Sequence, residues 1–147
     1  MRIVAITHRI VRWSIESRGA ARRYAERHAL LLAAQTDGGA TGLGEAAPLP
    51  GMSIDSLADA EAAVELLAAC LPVELETPAH ASATADRITA APAARFAIES
   101  ALLSAYAQHA GTSVAALLAK RTPLAELSTS VVVDDEAEAF AAAVAGV

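Results

Sequence analysis

Asp37-Gly38-Gly39-Ala40-Thr41-Gly42-Leu43-Gly44-Glu45 is the stretch whose reading decides the fold. The residues before it, 28–36, are rich in leucine and alanine, and propensity alone would make them a helix. Asp-Gly overrules that reading, because it is a strong hairpin turn signal and residues 41–45 can return as the partner strand. Working outward, residues 2–7 are β-branched and partly alternating, and 10–15 continue in the same style, as a strand does. The intervening 14–24 segment is polar and basic, carries Gly19, and reads as a mobile loop. A three-stranded antiparallel meander therefore opens the chain.

Downstream the pattern turns helical. Pro48, Pro50 and Gly51 break regular structure, and Ser53 or Asp55 can cap a helix whose apolar positions Leu57, Ala60, Val64, Leu67 and Leu71 follow 3–4 spacing. Pro72 ends it, and residues 81–90 suit a short helix. Pro92 sits well in the first turn of a longer one with Gly111 at its end, the proline-in, glycine-out asymmetry of helix termini. Ala93, Ala97, Ala101 and Ala105 would let that helix approach a neighbour closely. A shorter helix fits 113–119. Residues 127–133 read as a buried strand leading into an alanine-rich helix, and such a βα unit wants a parallel neighbour that the rest of the sequence lacks.

The 147 residues suit one compact unit, and 54% are hydrophobic, though much of that share is alanine. With one Trp, two Tyr and two Phe, the core must lean on leucine, valine and isoleucine. No apolar run approaches the roughly 20 residues of a membrane span, and the first residues lack the apolar region of a signal peptide. A cytoplasmic protein with no membrane partner is expected. A net charge of −6 opposes binding to a polyphosphate backbone, which argues against nucleic acid as a partner. Cys70, the single cysteine, excludes an internal disulfide and is expected to be a small buried hydrophobe.

Gly42-Leu43-Gly44-Glu45-Ala46-Ala47 has the form G-x-G-x-x-A, but Pro48 and Pro50 forbid the helix that a dinucleotide site requires at that point. The glycines are expected to ease a strand into a loop. His8, His28, His80 and His109 are scattered with no spacing suited to a metal. Arg18, Arg22, Arg23 and Arg27 form the basic concentration of an acidic chain, either a solvated loop or a contact for an anionic substrate or partner chain. Glu45 and Glu99 stand in apolar surroundings. They would serve acid–base chemistry if they met, and otherwise hold elements in register through hydrogen bonds or an arginine such as Arg95.

The run Ala94, Ala97, Ile98, Glu99, Ala101, Leu102, Ala105, Ala107 and Gln108, then Ser113, Val114, Leu117 and Leu118, resembles the first signature pattern of the mandelate racemase and muconate lactonizing enzymes of the enolase superfamily. Phe96, Ser104 and Ala119 depart from that pattern. Phe96 and the loop Gly44-Glu45-Ala46-Ala47-Pro48-Leu49-Pro50-Gly51-Met52-Ser53 look most like the o-succinylbenzoate synthase branch, which serves menaquinone biosynthesis.

That resemblance implies an α+β amino-terminal capping domain over residues 1–122, a meander followed by a helical bundle. Residues 123–147 would be the first strand and helix of a truncated (β/α)₈ barrel. It implies a lyase that removes a proton next to a carboxylate and then loses water, with magnesium as cofactor. It also implies capping loops at about 14–24 and 48–53, with Ser17, Arg18, Gly51 and Met52 as substrate contacts. The catalytic lysines and acidic metal ligands of the family lie on a barrel of roughly 200 residues or more. This chain carries a single lysine, Lys120, and Asp134 and Asp135 match no ligand motif. The 147 residues alone are therefore expected to be inactive, with a small carboxylate substrate met through a barrel that this chain lacks. A homo-oligomer or a complementing barrel chain is the expected partner. Other reactions of the superfamily, or a non-catalytic binding or assembly module, are the alternatives.

Overall fold

The computed structural model describes residues 1–14 and 26–119. Three long strands, β1 (Arg2–Ser14), β2 (Glu26–Thr36) and β3 (Thr41–Ala46), form the expected meander. The hairpin between β2 and β3 closes where Asp-Gly predicts it: Thr36 N–H donates to the Ala40 carbonyl at 2.9 Å, and Gly39 takes a φ of 85° that few other residues tolerate. Arg2 Nε donates to the Asp37 carboxylate at 3.2 Å, holding the turn to the start of β1.

The sheet has a fourth strand that the sequence reading lacked. β4 (Val73–Glu74) pairs antiparallel with Arg2 and Ile3, giving the order β3-β2-β1-β4. Two residues carry no periodicity of their own, so only the fold brings them to the sheet edge. β1 runs through both of the stretches read as strand, with a register shift between Ile3 and Ala5.

Among the described residues four helices follow: α1 (Leu57–Ala69), α2 (Ala79–Ile88), α3 (Pro92–His109) and α4 (Val114–Leu118). The N-cap of α1 is Ser56, in a reciprocal capping box with Asp59, and neither Ser53 nor Asp55 has that place. Ser53 Oγ instead accepts from the Leu49 N–H, and an Asp55 carboxylate oxygen accepts from the Ala93 N–H in the first turn of α3. Cys70 is exposed, contrary to expectation, because it falls one residue past α1 at its C-cap, off the buried Ala60, Ala63, Val64 and Leu67 stripe. Among the described residues no helix is long and apolar enough to cross a membrane.

One core lies between the sheet and the helices. Leu30, Leu32 and Ala34 of β2 meet Ile98, Leu102 and Ala105 of α3 and Val64 and Leu67 of α1, all essentially buried. The closest approach is between β3 and α3. A Cβ built on Gly42 would lie 1.9 Å from the Ala101 carbonyl oxygen, and one on Gly44 2.0 Å from that of Ala97. The two glycines are therefore neither a phosphate cradle nor a passage into a loop. They are missing side chains that let a helix lie directly on a strand, with the alanines at 97, 101 and 105 as its partner stripe. Residues 127–133, the proposed barrel unit from 123, and Lys120, Asp134 and Asp135 lie outside the described residues.

Candidate functional site

β3 ends at Ala46 opposite Leu30, so the chain leaving it passes beside the start of β2. There the Arg27 guanidinium donates through Nη2 to the Ala47 carbonyl at 3.2 Å. The loop then turns over itself. Met52 and Ser53 N–H groups donate to the Leu49 carbonyl at 3.0 and 2.8 Å, and Gly51 adopts a φ of 75° to allow it. With its amides turned inward and two prolines restricting its backbone, the loop holds Met52 outward at 73% exposure, with Ile54 exposed beside it.

Under the loop lies a cavity of about 330 Å³ lined by Arg27, His28, Pro48, Gly51, Ser53 and Asp55, among others. Both of its carboxylates have partners: the His28 ring nitrogen is 3.3 Å from Glu26, and Asp55 holds the Ala93 amide. Arg27 does not use all its donors. Its Nε is buried and has no hydrogen-bond partner among the described residues.

Gly51 and Met52, two of the four residues expected to face substrate, thus stand together on an ordered, exposed loop. Ser17 and Arg18, the other two, lie outside the described residues, as do Arg22 and Arg23. Arg27 is the site residue the sequence reading valued too little, grouping it only with the basic cluster. The available signal was its register: it lies three residues before Leu30, whose partner is Ala46, so the hairpin itself predicts that Arg27 faces the chain leaving β3.

Glu45 and Glu99 form no acid–base pair. Glu45 is exposed on β3 opposite Leu31. Glu99 accepts from the Ser82 hydroxyl and, at 2.9 Å, from Arg95 Nη1, while Arg95 Nε donates to Asp86 at 2.5 Å. This network ties α2 to α3. The hydrogen bond from Arg95 holds the Asp86 carboxyl below its ordinary value, and Asp86 in turn raises Arg95. His8 lies 3.6 Å from Glu61 on α1. No group of three or more His, Cys, Asp or Glu among the described residues is arranged to hold a metal ion. The described residues therefore do not fit magnesium.

Among the described residues, a four-stranded antiparallel sheet with helices packed against it and an exposed loop after β3 make an α+β domain. The chain belongs to the mandelate racemase / muconate lactonizing enzyme N-terminal domain family, whose model matches residues 5–119. Among solved structures it is similar to a dipeptide epimerase from Methylococcus capsulatus, crystallised with Mg and the dipeptide L-Arg-D-Lys. Identity is 27% over 76% of this chain and 33% of that one, with a TM-score of 0.66. A mandelate racemase/muconate lactonizing protein from Herpetosiphon aurantiacus shares 28% identity over 74% of this chain and 31% of that one, at a TM-score of 0.63. The L-Ala-D/L-Glu epimerase from Bacillus subtilis shares the fold at 24% identity, over 75% of this chain and 32% of that one, with a TM-score of 0.65. The chain spans about a third of the length of these structures. No curated protein matches it.

Proposed function

We propose that this chain is the cap of an enzyme of the enolase superfamily that removes a proton next to a carboxylate. The loop bearing Gly51 and Met52 closes over a small carboxylate substrate. The observation that carries this reading is the loop itself, which is internally hydrogen-bonded and presents Met52 outward beside a cavity lined by an arginine. A cap of this kind works by burial, since excluding water strengthens the electrostatic interactions beneath it. The groups that move protons belong to a barrel. Magnesium, which accompanies the Methylococcus epimerase, would be held there as well, because the described residues of this chain do not fit it.

For the reaction, the loop sequence and Phe96 favour loss of water of the o-succinylbenzoate synthase kind. Phe96 is 64% exposed, so packing in this domain does not account for it. A second reading, dipeptide epimerisation, is favoured by the 27% identity to the Methylococcus enzyme. A barrel supplied by the same gene or by a complementing chain suits either reading, as does a cytoplasmic setting and assembly into an oligomer.

The test is to express the natural gene in full and supply magnesium. The product is then offered the hydrated precursor of o-succinylbenzoate and, separately, L-Ala-L-Glu in deuterated water. Loss of water from the first supports the dehydration reading. Deuterium uptake at the dipeptide α-carbon without any dehydration transfers the assignment to epimerisation. Inactivity on both substrates sinks both. The 147 residues alone are expected to turn over neither.

A further inference from the structure

We propose that the face of the β1–β2–β3 meander turned away from the helices is an interface between two copies of this chain, related by a two-fold axis at Leu31. Successive residues of a strand point to opposite faces of a sheet, and directly paired residues of neighbouring strands share one face. Leu30, Leu32 and Ala34 face the core, and Gly42 and Gly44 are turned toward α3. Leu31, Ala33, Leu43 and Glu45 therefore face the other way, with Thr7 and Arg9 of β1 beside them. None of these six belongs to the core, and Leu43 is 67% exposed. The strand register sets them in two rows across the sheet, Arg9, Leu31 and Glu45 in one and Thr7, Ala33 and Leu43 in the next.

The charge pattern of the first row selects the occupant. Arg9 and Glu45 are exposed, stand one strand to either side of Leu31, and take part in none of the ion pairs among the described residues. A row of cation, leucine and anion is complementary to its own copy turned over. Rotation by a half turn about an axis parallel to β2 stacks Leu31 on its copy and lays each Arg9 over the other copy's Glu45, as an isologous interface requires. The same rotation brings each Leu43 over the other copy's Thr7, where the face has a hollow of about 340 Å³ lined by Thr7, Arg9, Leu31, Ala33 and Leu43, among others. Neighbouring strands lie about 4.8 Å apart and facing sheets about 10 Å, so both charges sit close to the axis, where the twist between aligned sheets displaces them little. Three strands make a patch smaller than a permanent interface, so the expected dimer has a Kd of about 1–100 μM.

Sedimentation equilibrium of the 147-residue chain and its charge variants tests this. The parent is expected to dimerise below about 0.5 mM. Arg9→Glu and Glu45→Arg each make both contacts between the copies repulsive, and each is expected to weaken self-association by about tenfold or more. Mixed in equal amounts, the two variants regain complementary rows and are expected to associate with each other at about the parent's strength. Glu65→Arg, a charge reversal at an exposed position of α1, is expected to leave association unchanged. A parent that stays monomeric to about 0.5 mM, parental affinity in both single variants, or a mixture that associates no better than its components overturns the proposal. Should either variant lose its fold, the amide resonances of the parent decide: concentration-dependent shifts centred on Thr7, Leu31 and Leu43 support the interface, and shifts elsewhere or none refute it. Association is read without turnover, so failure here is separable from failure of the reaction assignment.

Discussion

The seam between β3 and α3 and the loop that follows β3 both depend on glycine, for opposite reasons. At the seam, Gly42 and Gly44 have ordinary strand backbone and no space, since the carbonyls of Ala101 and Ala97 occupy the positions of their would-be side chains. In the loop, Gly51 has open space and an unusual backbone, with φ at 75° and no atom within 4 Å of a built Cβ. The contrast separates two tasks. A closed seam fixes the strand against the helix, and the loop that leaves the strand stays exposed.

The same substitution at both places breaks the comparison most directly. Gly42→Ala drives a methyl into the backbone of α3. It is expected to cost about 3 kcal/mol or more, the upper end for overpacking, because a helix backbone cannot yield as a side-chain tip can. Gly51→Ala meets nothing and is charged only for its φ, about 1 kcal/mol. Urea unfolding of the two variants measures both, and equal losses would remove the distinction. Next in size, Ser56→Ala deletes the side chain that accepts from the Asp59 N–H, with an expected loss of about 1 kcal/mol, read as a lower Tm. Met52→Ala is expected to stay within about 0.5 kcal/mol of the parent, as for an exposed residue away from the core. In the complete enzyme it should raise KM more than it lowers kcat.

The smallest effect concerns pH. The carboxyls of Asp86, Asp37 and Asp59 are all held below the ordinary 3.8, by hydrogen bonds from Arg95, Arg2 and Ser56 respectively. A carboxylate whose folded value is depressed contributes stability that is present above its unfolded value. That contribution is lost as pH falls through the folded value. The chain is therefore expected to hold its Tm from neutrality down to about pH 4 and to lose it below. Asp86→Asn should make the acid limb shallower, with only a minor effect at pH 7, because all three groups are exposed and screened by water. An unchanged acid limb in that variant would remove the Arg95 network from the account.

Local chemistry was legible wherever a residue acts on its own neighbours. Asp37-Gly38 names a hairpin, Pro92 and Gly111 bracket α3, and 3–4 spacing names the buried face of α1. The errors came where position in the fold, rather than residue type, decides the outcome. Cys70 was expected inside because cysteine usually is, but its position one residue beyond the end of α1 decides its exposure. Ser53 and Asp55 have the chemistry of an N-cap, yet the loop and α3 claim them through Leu49 and Ala93, leaving the cap to Ser56. The glycines of β3 were noticed but assigned to chain bending, since nothing local reveals a helix more than fifty residues away pressing on them.

The sequence by itself determined the three long strands, the helices and the family, because these follow from turn chemistry, periodicity and a run of small residues on one helix face. The tertiary structure alone decided the fourth strand, the close seam at Gly42 and Gly44, and the isolated donor of Arg27. Each of those is a property of two segments at once: an edge waiting for a partner, a side chain with no room, a hydrogen bond with no acceptor. Packing creates such properties, and no single stretch of residues contains them.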